Sequence, residues 1–423
     1  MKYTKLFIAF IIFIMSVMTI LPFTAGCATQ TQAPAETPTP IQPSPIPTPT
    51  PTPAPAPAPT PTPTPASELT PPPQPPIAPA QPSLTTPAPT PEPEKEIVLP
   101  GCPEQPEGRA DPELVIDVYK PEKAYNGTTL LPDNHNLTRP RIIEVNMRGE
   151  IVWEYVVPDK LRRTDRPAAG LNPGFDVELV PNNNILFLSP GKGIYEIDRK
   201  GEIVWSYLDR KISHDADRLP NGNTLVVFGD NDKIDDAQVK EINPDGKIIW
   251  SWHAKDHFYK SPYKEIYDQG WTHTNSVTRL SNGNTIISLR NFNCIVEVDP
   301  QGDVVRIIES DALSSTHDPE MLASGNILVA SQWRDKPHQA IEIDPETGKV
   351  VWQHDMPIRR TWPIRDTDRL PNGNTLITGS IVIIEVTPEH EVVWALRLNN
   401  VIIEPGQAPV MGFYKAERIC QND

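Results

Sequence analysis

Three histidines, an asparagine and two arginines stand out because their spacing repeats. Five segments share one kind of turn: VPNNNIL at 180–186, LPNGNTL at 219–225, LSNGNTI at 280–286, LASGNIL at 322–328 and LPNGNTL at 370–376. Counted back nine positions from the last asparagine of each turn lie Phe175, His214, Asn275, His317 and Arg365. Eight positions back lie Asp176, Asp215, Ser276, Asp318 and Asp366. His273 is two residues before Asn275, which on a strand puts both side chains on one side. Arg290 comes six residues after Asn284, once the chain has turned back, so it returns to the level where His273 began.

Neutral imidazole can serve as nucleophile, acid or base near pH 7. Arginine and asparagine donate hydrogen bonds in a geometry that fits a tetrahedral oxyanion. Together these groups suit transfer of a sulfuryl or phosphoryl group. Asp215 and Asp318 follow the histidines directly and should point the other way, so they read as structural, with Asp176 and Asp366. No cysteine or clustered carboxylate completes a zinc site, and there is no Gly-x-Ser-x-Gly elbow or Walker loop. No metal and no cofactor are therefore expected.

The elements that must position these residues are hairpins. Asn-Gly between apolar runs is a hairpin turn, because both residues tolerate positive φ. A second hairpin follows each first one: MRGEIVWEY (147–155), RKGEIVWSY (199–207), PDGKIIWSW (244–252), PQGDVVRII (300–308), TGKVVWQH (347–354) and EHEVVWAL (389–396). YNGTTLL at 125–131 is a degenerate first turn. The central positions Trp153, Trp205, Trp250, Arg306, Trp352 and Trp394 recur every 42 to 56 residues, with no helical period. Six four-stranded units predict an all-β, six-bladed β-propeller over 101–423, with the tryptophans as wedges between blades. The first strand of each blade lines the central channel, so equivalent positions form a ring. His253, His257, His338, His354 and His390 fall in loops or outer strands and read as solvated.

The rest of the chain is organised differently. Of 52 prolines among 423 residues, 26 lie between Pro34 and Pro93. Residues 27–100 lack the apolar content for a core and read as a disordered, extended stalk of Pro, Thr and Ala. Residues 1–26 read as a secretory signal, with two lysines before an apolar run. Cys27 after Ala25-Gly26 resembles the bacterial lipoprotein processing site and would be lipidated. Thr24 departs from that pattern, and a cleaved signal or an uncleaved anchor is the alternative. The folded part would then be tethered outside the cell membrane, or secreted. Cys102 and Cys420 bracket the propeller and could pair in an oxidising compartment; Cys294 reads as a buried thiol. The net charge of −16 argues against nucleic acid as a partner.

From about 120 to 420 the sequence resembles the bacterial arylsulfate sulfotransferase family. The likeness rests on YNGTTLL followed by IIEVNMRGEIVW, on HDADRLPNGNT, on HTNSVTRLSNGNTIISLRN and on THDPEMLASGNILVAS. It implies an exported six-bladed propeller that moves a sulfuryl group from an aryl sulfate to a phenol through a sulfated histidine. By that likeness His317 is the nucleophile, His273, Asn275 and Arg290 bind the sulfuryl oxygens, and His214 assists. Arg365 could contribute from blade six. Phe175, Trp271, Trp333 and Trp362 are near the right level to meet a phenol. Larger members carry an extra N-terminal domain where this chain has a stalk. The alternative is a non-catalytic surface propeller that binds a glycan, a protein or a quinone-type ligand.

Overall fold

A computed structural model describes residues 101–102, 105–163, 175–356, 363–399, 401 and 412–420. The signal, Cys27, the stalk and Trp362 lie outside the described residues. Among the described residues no helix is long and apolar enough to cross a membrane.

The strands form six antiparallel sheets. Blades two to five each take four consecutive strands, as the hairpin repeat predicts; blade three runs through Ala216–Arg218, Thr224–Val227, Val239–Ile242 and Ile248–Trp252. Ring closure departs from the simple repeat. The inner strand of blade one is Glu417–Ile419, from the far end of the chain, paired with Thr128–Asp133. Blade six gains a fifth, outermost strand, Leu114–Tyr119. A disulfide joins Cys102 to Cys420 beside this closure.

The second and third strands of the blades are almost wholly buried and mostly apolar, which fills the space between sheets. Outer strands alternate in exposure, as a half-buried strand should. The seams are polar and repetitive. The last asparagine of each turn donates to a glutamate of the third strand: Asn184 to Glu196 (2.7 Å), Asn223 to Glu241 (2.6 Å), Asn284 to Glu297 (2.6 Å), Asn326 to Glu342 (2.7 Å) and Asn374 to Glu385 (2.7 Å). In the degenerate turn Thr128 Oγ1 takes that role on Glu144. An arginine of the next blade meets the same carboxylate at five seams, as Arg199 on Glu144, Arg218 on Glu196, Arg279 on Glu241, Arg369 on Glu342 and Arg418 on Glu385.

The tryptophans do bridge blades. Trp153, Trp205, Trp352 and Trp394 donate from Nε1 to the backbone of the neighbouring outer turn, at Arg199, Pro244, Pro388 and Met147. In blade three that bond comes from Trp252 to Gly302, two residues beyond the expected Trp250. In blade four Arg306 replaces tryptophan and joins Glu297 to Glu346 of blade five.

Candidate functional site

The closing strand completes the rings. Arg418 pairs with Thr129 as Arg218 pairs with Thr224, which aligns Tyr414-Lys415-Ala416-Glu417-Arg418 with His214-Asp215-Ala216-Asp217-Arg218. The upper ring is therefore Tyr414, Phe175, His214, Asn275, His317 and Arg365. The ring one residue on is Lys415, Asp176, Asp215, Ser276, Asp318 and Asp366. Tyr414 and Lys415 escaped the sequence reading because no turn follows them. The parallel between YKAERI and HDADRL was the signal that could have found them.

The upper-ring strands do not start as plain strands. A bulge falls at Asn275, at Arg365 and just after His317. His214 (φ 74°), His273 (φ 47°), Ser315 (φ 44°) and Asp318 (φ 46°) are left-handed, which is uncommon outside glycine and gathers at functional sites. Bulges re-aim side chains. Here they send His273 and Asn275 to opposite neighbours, which a regular strand would not do. His273 meets His214 of blade three, and Asn275 meets His317 of blade five.

The first pair is a chain of hydrogen bonds. Ser213 Oγ accepts from the backbone of Gly229 and Asp230, and lies 2.8 Å from His214 Nδ1. His214 Nε2 lies 3.2 Å from His273 Nε2, and His273 Nδ1 lies 3.0 Å from Gln269 O. One set of tautomers satisfies every contact. Ser213 donates to His214 Nδ1, His214 Nε2–H donates to His273 Nε2, and His273 Nδ1–H donates to the carbonyl. Gly229 lets the two strands approach, since a Cβ there would sit 1.9 Å from Thr274 O. Asp232 holds the turn before blade four by accepting from the backbone of Thr272 and His273, each at 3.1 Å.

The second pair is set likewise. His317 Nδ1 lies 2.9 Å from Ser315 O, so it carries the proton and Nε2 keeps its lone pair. Asn275 Nδ2 donates to that Nε2 at 3.0 Å and to Thr316 O at 2.9 Å. Asn275 Oδ1 is buried without a hydrogen-bond partner among the described residues. Gln332 Nε2 lies 3.4 Å from His317 Nε2.

Burial, with repulsion from His273, His317, Arg365 and Arg290, pushes His214 well below the imidazole range. Burial and Arg365 do the same to His317. Burial and Arg290 bring His273 down to about 3. All three are thus neutral at pH 7, beside two arginines. The Arg365 guanidinium lies 5.4 Å from the Tyr414 ring, and that ring packs edge-on 6.3 Å from His214. Arg290 reaches the rim, 3.7 Å from Asp268. There it lines a cleft of about 370 Å³ with Asp268, Ser315, Trp333 and Arg334. Of the described aromatics expected near a phenol, Trp333 alone faces this cleft. Phe175 and Trp271 are packed into inter-blade cores. His338 is buried rather than solvated, where its Nδ1 accepts from Trp333 N.

Below the imidazoles the expectation of unclustered carboxylates fails. Oxygens of Asp318, Asp366 and Asp368 lie within 4.8 Å of one another. Lys415 Nζ lies 2.6 Å from Asp215, 3.0 Å from Asp318 and 3.7 Å from Asp176. These aspartates do serve structure. Asp176, Asp215 and Asp366 accept from the backbone N–H of Ala216, Val277 and Ala416 in the next blade. Two positions further on, Glu417, Glu178 and Glu320 repeat the pattern on Leu179, Arg218 and Arg369. Where the next blade offers Pro319, which has no N–H, the strand carries Ser276 instead of aspartate.

Fold and site together define an all-β, six-bladed propeller with a neutral histidine cluster at one end of its inner strands. Residues 117–312 match the family described as Arylsulfotransferase (ASST), a stretch that holds blades two to four and all of blade one but its inner strand. The match includes His214, His273, Asn275 and Arg290 and stops before His317. No curated protein matches the chain. Similar solved structures include a protein of unknown function from Bacteroides caccae, 17% identical, with a TM-score of 0.48 over 69% of this chain and 98% of that one. A catalytically inactive virginiamycin B lyase from Staphylococcus aureus is 14% identical, with a TM-score of 0.42 over 66% of this chain and 86% of that one.

Proposed function

We propose that this propeller transfers a sulfuryl group from an aryl sulfate to a phenol through a covalent intermediate on His317. The observation that carries this reading is the tautomer of His317. Its Nδ1 proton is committed to Ser315 O, which leaves the Nε2 lone pair on a neutral ring beside Asn275. In the first half-reaction Nε2 bonds to sulfur, the sulfur–aryl oxygen bond breaks, and the phenoxide leaves with the electron pair. Asn275, Arg290 and Arg365 offset the charge on the sulfuryl oxygens. In the second half-reaction the acceptor oxygen attacks sulfur and the bond to Nε2 breaks. The phenolic proton passes to His273 Nε2, whose lone pair is freed as the bond from His214 Nε2–H gives way to the incoming hydroxyl, and then to solvent. Trp333 at the cleft offers a face for the aryl ring.

Export and tethering complete the proposal. The folded part would act outside the cell membrane, held by Cys27 and the stalk at 27–100, or would be secreted.

Incubation with an aryl sulfate and no acceptor tests the reading. The expected product is a protein with one SO₃ group, stable to alkali and labile to acid, on the peptide that contains His317. Phenol release without such an adduct would point to direct transfer or hydrolysis and overturn it.

A further inference from the structure

We propose that Lys415 is the positioning residue of the histidine site, one ammonium that clamps the backbone of the segments carrying His214 and His317. The proposal deepens the sulfuryl-transfer reading and rests on it for its kinetic consequence.

Lys415 Nζ holds Asp215 at 2.6 Å and Asp318 at 3.0 Å. Asp215 directly follows His214, whose own φ is 74°. Asp318 directly follows His317 and has a φ of 46°. Left-handed backbone at a residue with a Cβ persists only where its surroundings fix it. An ionic contact on the adjoining side chain fixes it in both blades at once. The same carboxylates pass the constraint on. Asp215 Oδ2 accepts from Val277 N at 2.7 Å, two residues beyond Asn275. Asp176, 3.7 Å from the ammonium, accepts from Ala216 N, two residues beyond His214. Blades three, four and five, which supply His214, Asn275 and His317, thus share one cation. Tyr414, the residue before Lys415, packs against His214 in the upper ring. Lys415 touches no imidazole in the hydrogen-bond network, so its influence is on where the rings stand, not on the reacting atoms.

The test is Lys415→Met in the full chain, with selectively ¹⁵N-labelled histidine. The imidazole resonances of His214 and His317 should move while that of His390, on an outer turn, stays fixed. Misplaced catalytic groups can lower rate about a hundredfold, so kcat should fall by that order with KM within about threefold of wild type. Asp318→Asn is the milder variant and the deciding one should the methionine form not fold. It should move His317 more than His214. Unchanged His214 and His317 resonances in a folded variant, or a wild-type kcat, overturn the proposal. If the wild-type protein transfers no sulfuryl group, the enzyme reading fails, and the resonances still decide the role of Lys415.

Discussion

At one level the six inner strands carry Tyr414, Phe175, His214, Asn275, His317 and Arg365; one residue further along they carry Lys415, Asp176, Asp215, Ser276, Asp318 and Asp366. The two levels share strands and lie one peptide apart, yet their bonding differs in kind. Three aspartates of the lower ring accept from the backbone N–H of the next blade, so their place is fixed by the need to tie six strands that do not pair with each other. The imidazoles above bond mostly to each other, to single carbonyls and to Ser213 and Asn275. Nothing in the sheet requires them. A scaffold repeats because each blade poses the same problem. A site varies because each position has a different task.

The largest expected break in this comparison is His317→Ala. Loss of a nucleophile should lower transfer at least ~1000-fold, while the melting temperature changes by a few degrees at most. Steady-state transfer and calorimetry on one preparation check both. A large loss of stability with residual transfer would move His317 to the scaffold side.

Gly229→Ala comes next. The new Cβ would sit 1.9 Å from Thr274 O, so blades three and four must part and His214 must leave His273. Overpacking of this kind costs about 1–3 kcal/mol, and transfer should fall roughly a hundredfold through misplacement. Denaturant unfolding and kinetics would show both losses together, which sets this position at the border between ring and scaffold.

Asp366→Ala should affect stability more than rate. It leaves the buried N–H of Ala416 without its acceptor, at a cost of about 1–3 kcal/mol. The urea midpoint should drop, with kcat falling far less than at Gly229. A kcat effect as large as that at Gly229 would erase the distinction between the rings.

The repeat made much of this legible. Turns such as Leu-Pro-Asn-Gly-Asn mark hairpins by their own backbone chemistry, so the number of blades and the ring at His214, Asn275, His317 and Arg365 follow from spacing. Arg290 and His273 follow from counting along a hairpin. What spacing cannot carry is a departure from the repeat. The bulge at Asn275 is such a departure, and beside it His273 turns to His214 rather than to Asn275. Ring closure by Glu417–Ile419 joins positions about 290 residues apart, and a strand of three residues gives a weak local signal. Asp232 and Gly229 act through a buried carboxylate and a missing Cβ, and neither is visible without the partner strand.

The smallest expected effect, and the one that separates the rings most finely, is in pH. Burial raises Glu178 from 4.5 to about 8 and Glu417 to about 7. A carboxylate raised on folding stabilises fully below its unfolded pKa and loses that contribution as pH rises through the folded value. The melting temperature should therefore fall as pH rises from about 4.5 to about 8, most plainly above pH ~6.5. The imidazoles have the opposite sign. Their folded values are lowered, His273 to about 3, so their contribution is present above pH ~6.5 and is lost as pH falls below it. Glu178→Gln should flatten that fall by a few degrees, at ~2–4 °C per kcal/mol, most visibly above pH ~6.5, where the imidazoles no longer titrate. The neutral imidazoles also fix the activity profile, since kcat/KM reports ionisations of the free enzyme. It should show no inflection near 6.5 and should stay level to about pH 5. An inflection at 6.5 that His317→Ala removes would mean that the ring is more solvated than its burial indicates, and that its chemistry depends on a protonated imidazole.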